Sequence, residues 1–250
     1  MGCQRSGWVL IVLIGVGMSA GPAYAHRDDY INETFVFETL GAGEFEPEVW
    51  YDHLPAQEGS GPVERYAAAF EYGITPRFMV DAFAGWVDPS GGDASFSRFR
   101  AEARTRFGEE GDRAVDVAAS FEVEYERGPE ELSAPGVERT WLLTPRLVLS
   151  RDFGRQLNAT LNLDLTTELR SHAADRFAPG YAIGLRFPRE ALFRYGLEWR
   201  QDFSERTRSV LFPQIWLSLP HDATFKLGVG FGGGAAASER AFRAVFEIEF

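Results

Sequence analysis

Few side chains in this sequence are equipped for bond-making chemistry. There are four histidines, His26, His53, His172 and His221, and one cysteine, Cys3. A lipid hydrolase built on a serine nucleophile needs a hydroxyl and an imidazole within hydrogen-bond reach. His53 with Ser60 and His172 with Ser171 are the candidate pairs, and each depends on a loop to bring it together. The His and Cys residues lack zinc spacing. The acidic doublets Asp28-Asp29 and Glu130-Glu131 lack the calcium-loop pattern and read as solvated charge. Gly232-Gly233-Gly234 opens no helix, so it reads as the start of a loop rather than a phosphate cradle. The sequence therefore predicts no catalytic, cofactor-binding or metal-ligating residues, and no cofactor. What it offers in quantity is charge at every second position. Arg98, Arg100, Glu102, Arg104 and Arg106 are followed by Asp116, Glu122, Glu124 and Glu126. On an extended chain a spacing of two puts each series on one face. The chemistry available there is ion pairing and the guidance of charged solutes.

The elements that must position these charges begin after an export signal. Arg5, an apolar run from Trp8 to Ala20 and the small-residue site Ala23-Tyr24-Ala25 read as a secretory leader, residues 1–25, cut after Ala25. The run is too short to span a bilayer, which takes roughly 20 residues. Cys3 leaves with the leader, so disulfide and thiol chemistry leave too. Thirty-seven acidic against 25 basic residues give a net charge of −12, which removes the basic footprint of a nucleic-acid binder. Residues 26–43, with Thr34-Phe35-Val36-Phe37-Glu38-Thr39-Leu40, read as a plug or as a periplasmic lead-in. Residues 44–250 form the main domain.

From Glu44 onward the apolar period is two rather than 3.6. In 155–169, Leu157, Ala159, Leu161, Leu163, Leu165 and Leu169 share one face, while Asn158, Thr160, Asn162, Asp164 and Glu168 share the other. Twelve such segments are predicted, at 44–54, 63–74, 77–88, 95–108, 113–127, 137–151, 155–169, 176–188, 191–203, 206–219, 221–232 and 240–250. Tight connections alternate with longer polar ones. That alternation and an even strand count fit an outer-membrane barrel with short periplasmic turns and longer external loops. Aromatics on the apolar face collect at both strand ends, Tyr66, Trp86, Phe99, Tyr125, Trp141, Phe177, Trp199, Phe231 and Phe242 outside, and Phe78, Phe107, Phe187, Phe193, Phe225 and Phe250 on the periplasmic side. Rings of this kind settle at headgroup depth. The expected fold is all-β, a transmembrane antiparallel up-and-down barrel of about twelve strands. The alternative is a soluble exported barrel or sandwich with the faces reversed.

The ending Phe246-Glu247-Ile248-Glu249-Phe250 resembles the C-terminal signal that bacterial barrel-insertion machinery reads through Phe246, Ile248 and Phe250. The hairpin Glu71-Tyr72-Gly73-Ile74-Thr75-Pro76-Arg77 is similar to the E-x-G-[IL]-T-x-R hairpins of barrels grouped with porins of phenol-degradation operons. These resemblances imply the bacterial outer membrane, its lipid and the insertion machinery as partners. They imply no substrate.

If the apolar face meets lipid, the charged face lines the lumen. Besides the two series above it carries Asp164, Arg194, Glu198, Arg200, Arg243 and Glu247, together with Asp81, Arg146, Arg186 and Lys226. Neighbouring ladders of opposite sign could neutralise one another and fix strand register, or could line a wet pore. Inward Gly180, Ala182, Gly184, Gly196, Gly228 and Gly230 place any open space beside the later strands. The expected function is a porin-like channel for small polar solutes. A non-conducting structural or loop-binding barrel and an outer-membrane lipid hydrolase are the alternatives.

Overall fold

The computed structural model describes residues 29–56, 61–89, 93–127, 140–169, 177–189, 191–203, 208–234 and 240–250. Over these the chain forms β1 (Phe45–Leu54), β2 (Val63–Thr75), β3 (Phe78–Pro89), β4 (Ser95–Arg106), β5 (Asp116–Glu126), β6 (Thr140–Phe153), β7 (Leu157–Glu168), β8 (Phe177–Phe187), β9 (Phe193–Asp202), β10 (Arg208–Leu219), β11 (Ala223–Gly234) and β12 (Arg240–Ile248). Each strand pairs with its sequence neighbours, and β1 closes on β12. Closure leaves the sheet without a free edge, the condition for it to sit in hydrocarbon. The twelve predicted segments are all present, with ends displaced by three residues or fewer. Gly232-Gly233-Gly234 is a correction. It continues β11, because β10 runs on opposite it and pairs Val210, Ser209 and Arg208 with the three glycines.

The tight connections have the local chemistry they need. His221 and Asp222 adopt φ of 66° and 53° in the three-residue connection 220–222 between β10 and β11. Gly111 and Gly154 supply positive φ between β4 and β5 and between β6 and β7.

Side-chain direction decides between the membrane and soluble readings. On β7, Asn158, Thr160, Asn162 and Asp164 are buried, while Leu163 and Leu165 are 43% and 40% exposed. The pattern repeats around the wall. Phe121, Leu147, Leu185, Leu197, Leu211 and Phe246 face out, and Arg100, Glu102, Arg104, Arg146, Glu198 and Glu247 are buried inside. A soluble barrel would show the reverse. Tyr66, Trp86, Phe99, Phe177, Trp199, Phe231 and Phe242 are exposed at the long-loop end, and Phe107, Phe187, Phe193 and Phe250 at the short-turn end. They bracket the apolar band. The leader, Ala23 and Ala25 with it, lies outside the described residues.

Leu163 sits near the middle of β7 on the outer face, opposite Leu147 and Tyr181. Replacing it with Arg should lower the unfolding free energy in lipid by about 2–4 kcal/mol, the midplane cost for a charge. Urea unfolding in vesicles measures it, and an unchanged midpoint would mean that Leu163 does not meet lipid.

Candidate functional site

The lumen is occupied by the chain's own N-terminal segment. Residues 29–36 form a hairpin, with Tyr30 N donating to Thr34 O at 3.0 Å and Glu33 N to Tyr30 O at 2.9 Å. Walls on different sides of the barrel grip it. Ile31 N donates to Gln214 on β10 at 2.9 Å, Asn32 N and Thr34 N donate to Glu198 on β9 at 2.6 and 3.0 Å, and Phe35 N donates to Asn162 on β7 at 2.7 Å. Asn162 and Thr160 donate back to Phe35 O. Arg243 on β12 and Arg200 on β9 donate to the Ile31 and Glu33 carbonyls, each at 3.0 Å. A segment bonded at once to β7, β9, β10 and β12 can only run inside the barrel. The turn tip is Glu33, held at φ +64° without a glycine's freedom. Its carboxylate accepts from Arg100 at 2.7 Å and more loosely from Arg98 at 3.4 Å. A left-handed residue at about 1–2 kcal/mol needs such anchoring.

Asp29, one residue of the doublet expected to be solvated, is instead an anchor. Its carboxylate accepts from Val36 N at 2.8 Å and from Arg104 at 3.0 Å, because the hairpin carries it into the lumen. The Phe35 ring lies 3.8 Å from the Arg104 guanidinium carbon and 4.2 Å from that of Arg146. Tyr30 meets Trp216 edge to face at 5.3 Å, and Arg186, Arg194 and Lys226 surround the same indole. Cation–π contacts out of water are worth about 2 kcal/mol or more. Here several converge on two rings.

The two charged ladders stand opposite each other in register, Arg98 with Glu126, Arg100 with Glu124 and Glu102 with Glu122. The ion pairs do not follow that register. Arg98 bonds Glu124 at 2.7 Å, Arg100 bonds Asp81 on β3 at 3.1 Å, and Arg104 bonds Glu102 on its own strand at 3.1 Å. Arg146 bonds Asp164 at 2.6 Å and lies 3.7 Å from Glu122, while Arg200 lies 3.7 Å from Asp164. Arg243 clamps Asp52 with bonds of 2.6 and 2.7 Å, and Lys226 meets Glu247 at 2.6 Å. Arg194 donates to Ser218 at 3.0 Å. Two of the named residues serve the short-turn rim instead. Asp116 accepts from Gly111 N, and Arg106 donates to Pro76 O and pairs with Glu109. Glu126 is exposed at the long-loop end.

The glycine wall is a second correction. It is filled, not open. A Cβ on Gly184 would stand 2.6 Å from the Tyr30 ring, and one on Gly228 would run into Phe212 and approach Ile31 at 3.2 Å. The glycines are sockets for the hairpin and for Phe212 and Trp216, buried aromatics that share the inner face of β10 with Gln214. The open space lies across the barrel, above Glu33, as a cavity of about 70 Å³ beside β1 to β4.

At the short-turn rim Glu38, from the segment's lower limb, gathers with Glu110 and Asp152 around Arg189, which meets Glu110 at 2.6 Å and Asp152 at 3.1 Å. Burial pushes the Glu38 carboxyl up to about 8, with Arg186 opposing the rise and Asp152 adding to it. Glu46, Glu48 and Glu247 form a second carboxylate group, with Lys226 on Glu247. His53 faces outward at the long-loop end, its Nδ1 2.7 Å from Glu64. Ser60, Ser171 and His172 lie outside the described residues.

Apolar outside and polar inside, the chain is a twelve-stranded transmembrane β-barrel of the bacterial outer-membrane type. No known family profile and no curated protein sequence matches it. Among solved structures it is similar to the KdgM porin, at 7% identity and a TM-score of 0.59, over 82% of this chain and 99% of that one. It is likewise similar to an outer membrane channel from Pseudomonas putida F1, at 10% identity and a TM-score of 0.58, over 86% and 98%. What is shared at such identities is the barrel fold.

Two outcomes test the docking of the hairpin. Gly184→Val drives two methyls into Tyr30, and overpacking of this kind costs about 1–3 kcal/mol. Residues 29–36 should then become cleavable by added protease while the barrel keeps its heat-resistant mobility on gels; equal protection would remove Gly184 as a socket. Glu38 retains its proton when docked and loses it when undocked, so docking should weaken as pH rises from the free value near 4.5 to about 8 and then level off. Glu38→Gln should flatten that dependence in the same protease assay.

Proposed function

We propose that this chain is an outer-membrane channel for the passive passage of small polar solutes, and that residues 29–43 close it in the state described here. The observation that carries the reading is how the segment is held. Every hydrogen bond from residues 29–40 to the wall has a side chain on at least one side, and backbone pairing with the wall begins at Gly43, whose N–H reaches Gly73 O at 2.8 Å. The segment can leave without breaking one rung of the sheet. What it would leave behind is a lumen lined largely by Arg, Glu, Asn and Thr, with Phe83, Phe212 and Trp216 as apolar patches among them.

The short-turn end is the periplasmic one by the usual disposition of such barrels. Phe45 and Phe250 exchange backbone bonds there, so both ends of the barrel meet on that side. Phe246 and Phe250 face outward at the closing seam, with Ile248 between them, where insertion machinery could read them. A non-conducting structural barrel is the second reading. The chain of contacts Asp81–Arg100–Glu33–Arg98–Glu124 favours it, since ion pairs there bridge wall and hairpin.

Single-channel conductance in a planar bilayer separates the two. The channel reading expects brief or no openings from the full mature chain and steady conductance from a variant lacking residues 26–43. A correctly folded variant that stays silent would establish the structural barrel.

A further inference from the structure

The cavity above the hairpin tip opens toward the long-loop end, and its charges are not equivalent. Arg65, Arg98, Arg127 and Arg243 face it, against Glu33, Asp52 and Glu126. Asp52 is spent on Arg243 through two short bonds. Arg65 has no ion pair within 4 Å among the described residues. Glu33 forms the floor, and both of its oxygens face arginines, Oε1 toward Arg100 at 2.7 Å and Arg98 at 3.4 Å, Oε2 toward Arg98 at 3.4 Å. Phe83 backs the two guanidiniums, at 5.1 Å from Arg98 and 5.0 Å from Arg100, and keeps them aimed at that one point. Among the three carboxylates only Glu33 belongs to a segment outside the sheet. It is the one acid that can withdraw while its arginines stay.

We propose that this cavity is a binding site for a small carboxylate-bearing solute, and that the solute's carboxylate takes the place of Glu33 on Arg98 and Arg100. The proposal deepens the channel reading and rests on it, since the solute arrives through the long-loop mouth. Glu33 is then a tethered stand-in for the solute. A tether of a few residues presents it at millimolar effective concentration, so a free carboxylate competes only when abundant or when it gains a further contact. Arg65, on the same wall and with no ion pair within 4 Å among the described residues, supplies that contact. A planar carboxylate matches two guanidinium forks better than a neutral hydroxyl group does. Once the Glu33 carboxylate is displaced, its left-handed turn keeps only the backbone bonds to Tyr30 and Arg200, so solute arrival loosens the hairpin tip.

Isothermal titration of the refolded full mature chain with glucuronate, glucose and sulfate tests this. Glucuronate should bind while glucose, the same ring without the carboxylate, and sulfate should not. Glu33→Gln frees the arginines and should tighten glucuronate binding about ten-fold, whereas Arg65→Gln should weaken it by a similar factor. Equal binding of glucose or sulfate, or unchanged affinity in Glu33→Gln, overturns the proposal. If Glu33→Gln fails to refold, the Arg65→Gln comparison and the glucuronate-to-glucose ratio of the parent decide it. Conductance in potassium chloride, recorded in parallel, reports on the channel separately. If the variant lacking residues 26–43 stays silent while the full chain binds glucuronate, the channel is refuted and the site is kept; if that variant conducts while the full chain ignores glucuronate, the reverse holds.

Discussion

Everything in this molecule depends on one constraint, that a sheet turned apolar side out must satisfy its polar side from within. Lipid takes the leucines and phenylalanines at no cost, but the arginines, carboxylates and amides of the inner face still need partners, because an unpaired buried charge is among the costliest groups a protein can hold. Twelve strands enclose a lumen too wide for opposite walls to meet everywhere by side chains alone. The hairpin of residues 29–36 resolves that mismatch. It brings backbone donors to Asn162, Glu198 and Gln214, carbonyls to Arg200 and Arg243, and carboxylates to Arg98, Arg100 and Arg104. One short peptide supplies donors where the wall accepts and acceptors where it donates.

Shape follows the same division. Where the wall is glycine, at Gly184 and Gly228, the hairpin and β10 fill it with Tyr30, Ile31 and Phe212. Where the wall is arginine, at β4 and β6, the hairpin answers with the Phe35 ring and the Asp29 carboxylate. Toward β1 to β4 near the outer mouth no described residue is inserted above Glu33, and that sector holds the cavity. Filling is therefore lopsided, dense beside the later strands and open beside the early ones.

The barrel itself was legible because each strand states its faces locally. Leu161-Asn162-Leu163-Asp164-Leu165 cannot be read as a helix, and once the leucines are given to lipid every inward residue follows by parity. The hairpin was not legible in that way. Its turn is closed by Glu33 at positive φ, where glycine or asparagine would have marked it, and its hydrogen bonds to the wall reach partners 65 to 212 residues away. Asp29 looks like surface charge until a fold brings Arg104 to it. Parity did hold a clue. It puts Phe212 and Trp216 inside with Gln214, so a wall of glycines faced buried aromatics across the same lumen. Large rings beside empty sockets imply packing rather than space, and a segment rich in Phe lay just ahead of β1.

The strength of the hairpin's hold is set by what replaces it. Within the closed lumen its ion pairs are desolvated on both sides, so breaking one alone would strand a charge at a cost of several kcal/mol. If the whole hairpin departs, water enters at once and rehydrates both partners, and the net value of each pair falls toward the small figure typical of solvated ions. Removal is thus costly in part and far less costly as a unit, which makes the segment a two-position element rather than a loosely fluctuating one. The wall loses no backbone rung in either position, and the aromatic girdles stay in their headgroup layers. Departure also changes the sign of the lumen. Asp29 and Glu33 leave with the hairpin, while Arg98, Arg100, Arg104, Arg200 and Arg243 remain on fixed strands. The passage uncovered is more positive than the closed barrel, although the chain as a whole is acidic.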